Sequence, residues 1–140
     1  MPLPALKKPS QRRIFISYAH ADIESLREFS KYLKLLCRRL PGINCTWIDY
    51  EDLKGGDEWN KKIANAISDA SIFLVFLSVE YAVSTYCMEE ELPRIMAKHL
   101  NGDAVVIGVA IGRTKLEDFF VEINGKRASL ARVQCLPIAD

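Results

Sequence analysis

Ser71-Ile-Phe-Leu-Val-Phe-Leu77 decides the fold. A nearly continuous apolar run of this length is expected of a central strand covered on both faces. Just upstream, Ile63, Ala66 and Ile67 fall on one face of a helix. Before that helix, Asp49 to Trp59 is polar, holds Gly55-Gly56 and reads as a loop. Ile43 to Ile48 reads as a second strand and Arg13 to Tyr18 as the first. Between these two strands Ile23, Leu26, Phe29, Leu33 and Leu36 recur at helical spacing. Asp22, just before them, is expected to accept hydrogen bonds from the free N–H groups of the helix start. Pro41-Gly42 stops that helix. Downstream of the central run come a helix holding Leu92, Ile95, Met96 and His99, and a strand from Ala104 to Ile111. The remainder holds a short amphipathic piece at Leu116 to Phe120 and an edge strand near Val133 to Ile138.

Strand and helix alternate throughout. That pattern predicts an α/β fold, a flavodoxin-like doubly wound parallel sheet of about five strands with helices on both faces. In that strand order, ligands bind outside the carboxyl ends of strands where the chain direction reverses, between the first and third strands. Ser17 to Asp22 and Ser78 to Cys87 fall there.

Composition narrows the function. The 140 residues suit one domain. Apolar residues make up 49% and charged residues 26%, so a packed core is feasible. A net charge of +1 offers no global basic field, which argues against nucleic acid and anionic lipid as partners of this domain. Cys37, Cys45, Cys87 and Cys135 form no C-x-x-C pair, and His20 and His99 lie far apart, so no metal site is expected. The cysteines sit among apolar residues, which points to a reducing compartment and a cytoplasmic location. No apolar run is long enough to span a membrane. Residues 1–11, with Pro2, Pro4, Pro9, Lys7 and Lys8, read as a flexible leader.

Common nucleotide and hydrolase motifs are missing: G-x-G-x-x-G after the first strand, the P-loop, and the G-x-S-x-G elbow. A receiver domain would want an aspartate ending the third strand, where this chain has Ser78. Three other boxes stand out. Phe15-Ile-Ser-Tyr-Ala-His-Ala-Asp22 closes the first strand. Trp47-Ile-Asp49 closes the second, followed by Leu53-Lys-Gly-Gly56 and Trp59. Ser84-Thr-Tyr-Cys87 precedes Glu89-Glu-Glu-Leu92 and Arg94 to His99. In this order and spacing, the chain resembles a TIR (Toll/interleukin-1 receptor) domain over residues 13 to 111. The resemblance makes 12–140 the TIR domain, a piece of a longer protein by this reading. From Arg113 onward the F-W box of the family is missing.

TIR domains comprise signalling adaptors and enzymes that cleave NAD at the nicotinamide–ribose bond. The run Glu91-Leu-Pro-Arg-Ile-Met-Ala-Lys-His99 looks bacterial. The resemblance therefore implies an NAD+ nucleosidase, activated by self-assembly, with linear or cyclic ADP-ribose as product. It implies an effector of bacterial antiviral defence, with a fused or separate sensor domain. NAD+ is its substrate, and no cofactor is implied. The alternative is a non-enzymatic adaptor acting through TIR–TIR association. A third reading is a flavodoxin-like module that binds a nucleotide or flavin without cleaving it.

The family's catalytic glutamate follows the S-x-[WY]-C segment. Counting as in W-C-x-x-E-L gives Glu90; aligning the E-L dipeptide gives Glu91. At ~100° per residue, Glu90 points away from the stripe of Leu92, Ile95, Met96 and His99. Glu91 borders that stripe on one flank and Glu89 on the other. A catalytic carboxylate belongs at the lip of the core, so Glu91 is favoured. Pro93 suggests that Glu89 to Glu91 sit in the turn entering the helix. Three acids at a helix start also favour the helix dipole without any catalysis.

By resemblance, Ser17, Tyr18 and His20 line the pocket, Asp49 and Trp59 flank the loop after strand two, and Ser84 and Cys87 lie beside the ribose. Trp59 reads more readily as a core anchor, Tyr18 and Asp49 read equally as structural residues, and His20 as a plain loop residue. Asp52, Leu53, Lys54, Gly55 and Gly56 form the assembly loop that reaches a neighbouring copy, or simply a solvated loop. Gly55 and Gly56 allow the backbone shape such a loop needs.

Overall fold

The structure is a computed structural model that describes residues 12–39, 43–46, 57–112, 114–130 and 134–137. Side chains at 12, 36–37, 43–46, 57–60 and 134–137 fall outside that description. So do the leader 1–11 and the assembly loop with Asp49, Asp52, Leu53, Lys54, Gly55 and Gly56.

Five parallel strands form the main sheet: β1 (Arg12–Ser17), β2 (Ile43–Thr46), β3 (Ile72–Leu77), β4 (Val105–Ala110) and, last in the chain, Gln134–Pro137. Their order is β2, β1, β3, β4 and the last strand. All neighbours in this sheet are parallel, with Ile14 beside Ile72, Ser17 beside Val75, and Val75 beside Gly108. The direction of winding reverses between β1 and β3, as the flavodoxin-like pattern predicts.

Successive side chains of a strand point to opposite faces. On β3, Leu74 and Phe76 join Ile14, Ile16, Tyr18, Leu26 and Leu33 under helix α1 (Ile23–Arg39). Phe73, Val75 and Leu77 join the other face. There they meet Ile63 and Ile67 of α2 (Asp57–Asp69), Tyr81 of α3 (Val79–Val83), and Leu92 and Ile95 of α4 (Leu92–Leu100). Coverage on both faces explains why the 71–77 run carries no polar alternation. Fully burying one such side chain contributes about 1.5–3 kcal/mol.

Several local details differ from the sequence reading. Asp57 to Trp59 are helical, because α2 begins at Asp57 rather than after the loop. Asp22 does not cap α1. It ends a 3-10 turn, His20–Asp22, whose N-cap is Ala19, and its carboxylate accepts from Ser78 instead. Leu116–Asp118 is a 3-10 turn, and Phe120 already belongs to a strand. That strand, β5 (Phe120–Ile123), pairs antiparallel with β6 (Lys126–Ser129), which makes the last strand of the main sheet β7. Asn124 (φ 55°) and Gly125 (φ 78°) join β5 to β6. Both sit in the left-handed region that a two-residue type I′ hairpin demands, and Asn-Gly is its preferred sequence. The hairpin packs against α4.

Two side chains of α4 hold it to the rest of the fold. Lys98 donates from Nζ to the carbonyls of Ile67, Ser68 and Ala70 at 3.2, 2.8 and 2.6 Å. These are carbonyls at the end of α2, where a cation meets the negative pole of the helix. His99, half-buried, places Nδ1 3.3 Å from the Ala104 carbonyl. No helix among the described residues is long and apolar enough to cross a membrane.

Candidate active site

Ser17 is the last residue of β1, and its side chain points to the α2–α4 face. Across the sheet, β3 ends at Leu77 and Ser78 starts α3. Ser78 Oγ accepts from the Tyr81 N–H at 3.0 Å, a helix N-cap, and donates to the Asp22 carboxylate. One serine thus ties the turn after β1 to the turn after β3, at the reversal point of the sheet.

The cap directs α3 so that Tyr81 turns inward, fully buried against the Phe119 ring at 6.1 Å between centroids. Val79 and Val83 of the same short helix remain exposed. Next, Ser84 Oγ accepts from the Cys87 N–H at 3.1 Å. The chain then makes a π-turn, Cys87–Glu91, in which the Leu92 N–H reaches back to the Cys87 carbonyl. A π-turn absorbs one residue beyond the α-helical count. Here it absorbs the extra residue between Cys87 and the Glu-Leu pair, relative to W-C-x-x-E-L. Pro93, which has no N–H to give, stands in the first turn of α4.

The π-turn sorts the three acids. Glu89 and Glu90 are exposed, and Glu90 lies 3.9 Å from Arg94. Glu91 is fully buried. Its Oε1 accepts from Ser17 Oγ at 2.8 Å, and Ser17 Oγ lies 2.8 Å from the Tyr81 hydroxyl. A buried carboxyl needs such donors, because burying it without partners is costly.

Glu91 sets the electrostatics of its surroundings. Burial first, and then the nearby Glu91 charge, push the Cys87 thiol up to about 12. The same two causes push Tyr86 up to about 12. Tyr81 is raised well above its ordinary value by burial, then by Cys87 and Glu91. All three keep their protons near neutral pH and stand as neutral neighbours of the carboxylate. Cys87 accordingly donates to the Tyr18 carbonyl at 3.5 Å and is not poised as a nucleophile.

Of the residues expected at the site, the fold gathers Ser17, Cys87 and Glu91, with Ser84 held beside them by its bond to Cys87. Tyr18 contributes its carbonyl only, since its ring lies in the core under α1. That follows from strand alternation: if Ser17 faces the site, Tyr18 faces away. His20 is exposed in the 3-10 turn. Trp59 is in the first turn of α2, with its side chain outside the described set, and Asp49 lies outside altogether. Sequence reasoning overlooked Tyr81 as an individual residue. Its signal was the spacing Ser78-x-x-Tyr81, since a capping serine orients the residue whose N–H it accepts.

Comparison with known proteins places this chain in a family. The chain is 34% identical over 99 residues to the uncharacterized protein y4lF of Sinorhizobium fredii. The match takes in 70% of this chain and 29% of that protein, so the chain spans well under half of its relative. The family model of the TIR domain matches residues 14–134, from the first strand into the last. The chain belongs to the TIR domain family.

Proposed function

We propose that this TIR domain cleaves NAD+ at the nicotinamide–ribose bond, with Glu91 as the carboxylate beside the ribose. One observation carries the reading. Among the described residues, one carboxyl group, that of Glu91, is brought inside the fold, at the carboxyl ends of β1 and β3, by a turn that widens to a π-turn.

The chemistry needs little more than this. When the N-glycosidic bond breaks, its electron pair leaves with nicotinamide, which departs neutral. Positive character develops on the ribose carbon, as in other glycoside cleavages. A carboxylate next to that carbon stabilises the charge where it forms. Water then adds to the carbon and releases a proton, giving ADP-ribose. Attack by an adenine nitrogen gives a cyclic product instead.

Glu91 is enclosed in the isolated chain, so a ribose reaches it only when the surrounding turns part. Contact with a neighbouring copy is the event we assign to that opening, with residues 49–56 of one copy completing the pocket of the next. A sensor, fused or separate, would supply the clustering in a bacterial antiviral response. The reading is tested by nicotinamide release at increasing protein concentration and on a clustering scaffold. Activity that climbs more steeply than concentration supports it. Activity strictly proportional to concentration contradicts the assembly step. Intact NAD+ even with clustered protein turns the reading to an adaptor that acts through TIR–TIR association.

A further inference from the structure

We propose that Tyr81 is a positioning residue for Glu91, acting through Ser17: its phenol donates to the Ser17 hydroxyl and aims that hydroxyl's one proton at the carboxylate. This inference rests on the proposed role of Glu91 and deepens it. Ser17 Oγ stands 2.8 Å from the Tyr81 hydroxyl and 2.8 Å from Glu91 Oε1. A serine hydroxyl has one proton to give and can accept two. A carboxylate only accepts, so Ser17 spends its proton on Glu91 and Tyr81 donates to Ser17. All three residues are fully buried, so bulk water does not compete for these bonds. Burial also raises the Tyr81 phenol well above its ordinary value, which keeps the donor protonated.

Linked hydrogen bonds polarise one another. Donation from Tyr81 makes Ser17 the stronger donor to the carboxylate and stops the hydroxyl rotating away. The chain is directional and reaches across three elements, from α3 to the end of β1 to the π-turn. Among the described residues, the other titratable groups around this cluster are Cys87 and Tyr86 at the π-turn, Glu90 and Arg94 beside them, and Asp22 from the turn after β1. Among the described residues, none of these groups hydrogen-bonds to Tyr81 or Ser17, so removing the Tyr81 hydroxyl addresses this chain selectively.

The test is Tyr81→Phe, which keeps the ring against Phe119 and removes only the hydroxyl. It is made alone and on a Ser17→Ala background, in clustered 140-residue chain, with thermal unfolding to confirm the fold. We expect kcat to fall about tenfold, KM to stay within about twofold, and no further loss once Ser17 is alanine. Isotope-edited NMR of the Glu91 carboxyl carbon gives a second reading that needs no turnover. Loss of a donor to the charged form moves its titration midpoint up. Wild-type turnover in Tyr81→Phe, or an equal further loss on the Ser17→Ala background, overturns the proposal. If the parent chain leaves NAD+ intact, the proposed activity falls, but the titration still decides. An upward midpoint in Tyr81→Phe then upholds the positioning role, and an unmoved midpoint overturns it.

Discussion

Under α1, Ile14, Ile16, Leu26, Leu33, Leu74 and Phe76 close apolar on apolar. On the opposite face of the same sheet, the core of Phe15, Phe73, Val75 and Leu92 ends in a polar cluster of Ser17, Tyr81 and Glu91. A single step along β1, from Ser17 to Tyr18, crosses from one to the other. The α1 face contributes stability through burial alone. The α2–α4 face gives up part of that burial to hold a carboxyl group, whose desolvation cost its hydrogen-bond donor offsets. Under the proposed function, substitutions of the α1 core should act on folding, and those of Ser17, Tyr81 and Glu91 on chemistry as well.

Phe76→Ala should break the α1 face most severely. It removes a fully buried ring that packs edge-on to Phe29 at 5.3 Å. We expect a loss of about 3–5 kcal/mol in urea unfolding. Any folded fraction should retain the site. A loss below about 1 kcal/mol would show that this face is not the tight core described.

Cys87 sharpens the comparison through pH. Its thiol is raised in the folded chain from an ordinary 9.0 to about 12. A proton held more tightly in the folded state stabilises it fully below the unfolded value. That contribution is lost as pH rises from about 9 to about 12. The parent should weaken over this window, and Cys87→Ala should weaken less. The difference in stability lost between the two chains is expected to reach on the order of 1–3 kcal/mol near the upper end. Parallel curves from pH 8 to 11 would contradict the burial assigned to the thiol. Tyr81 and Tyr86, raised in the same sense, account for the slope that remains in the variant.

The smallest effect belongs to Glu90. It is exposed and only 3.9 Å from Arg94. Glu90→Gln should change stability by less than about 0.5 kcal/mol and leave nicotinamide release as it was. A large effect on release would move the functional carboxylate outward by one residue.

The fold was legible where one physical rule acted alone. Residues 71–77 read as a central strand because coverage on both faces removes every polar position. Ile63 and Ile67 read as core because helical spacing leaves little choice. The strand near the end of the chain, read from Val133 to Ile138, is described over Gln134–Pro137. Other features needed two rules at once. Asn124-Gly125 carries a strong hairpin signal, but the amphipathic reading of Leu116 to Phe120 claims the first residue of the flanking strand and leaves Val121 to Ile123 unassigned. Asp22 has the chemistry of a helix cap, yet Ser78 from another turn competes for it, and that contact joins residues 56 apart. Glu91 was favoured over Glu90 from its position beside an apolar stripe. The π-turn that places it was not foreseen, because no local residue preference announces one extra residue in a helix. Tyr18 shows the opposite limit. Its sequence reading stands evenly between a pocket residue and a structural one, and strand alternation sends its ring to the core on the other face.

The most direct measurement is nicotinamide release by clustered protein carrying Glu91→Ala, beside Glu90→Ala and the parent. The account predicts that Glu91→Ala, still folded by circular dichroism, falls on the order of a hundredfold or more, while Glu90→Ala keeps pace with the parent. A folded Glu91→Ala chain that still releases nicotinamide at the parent rate would contradict it.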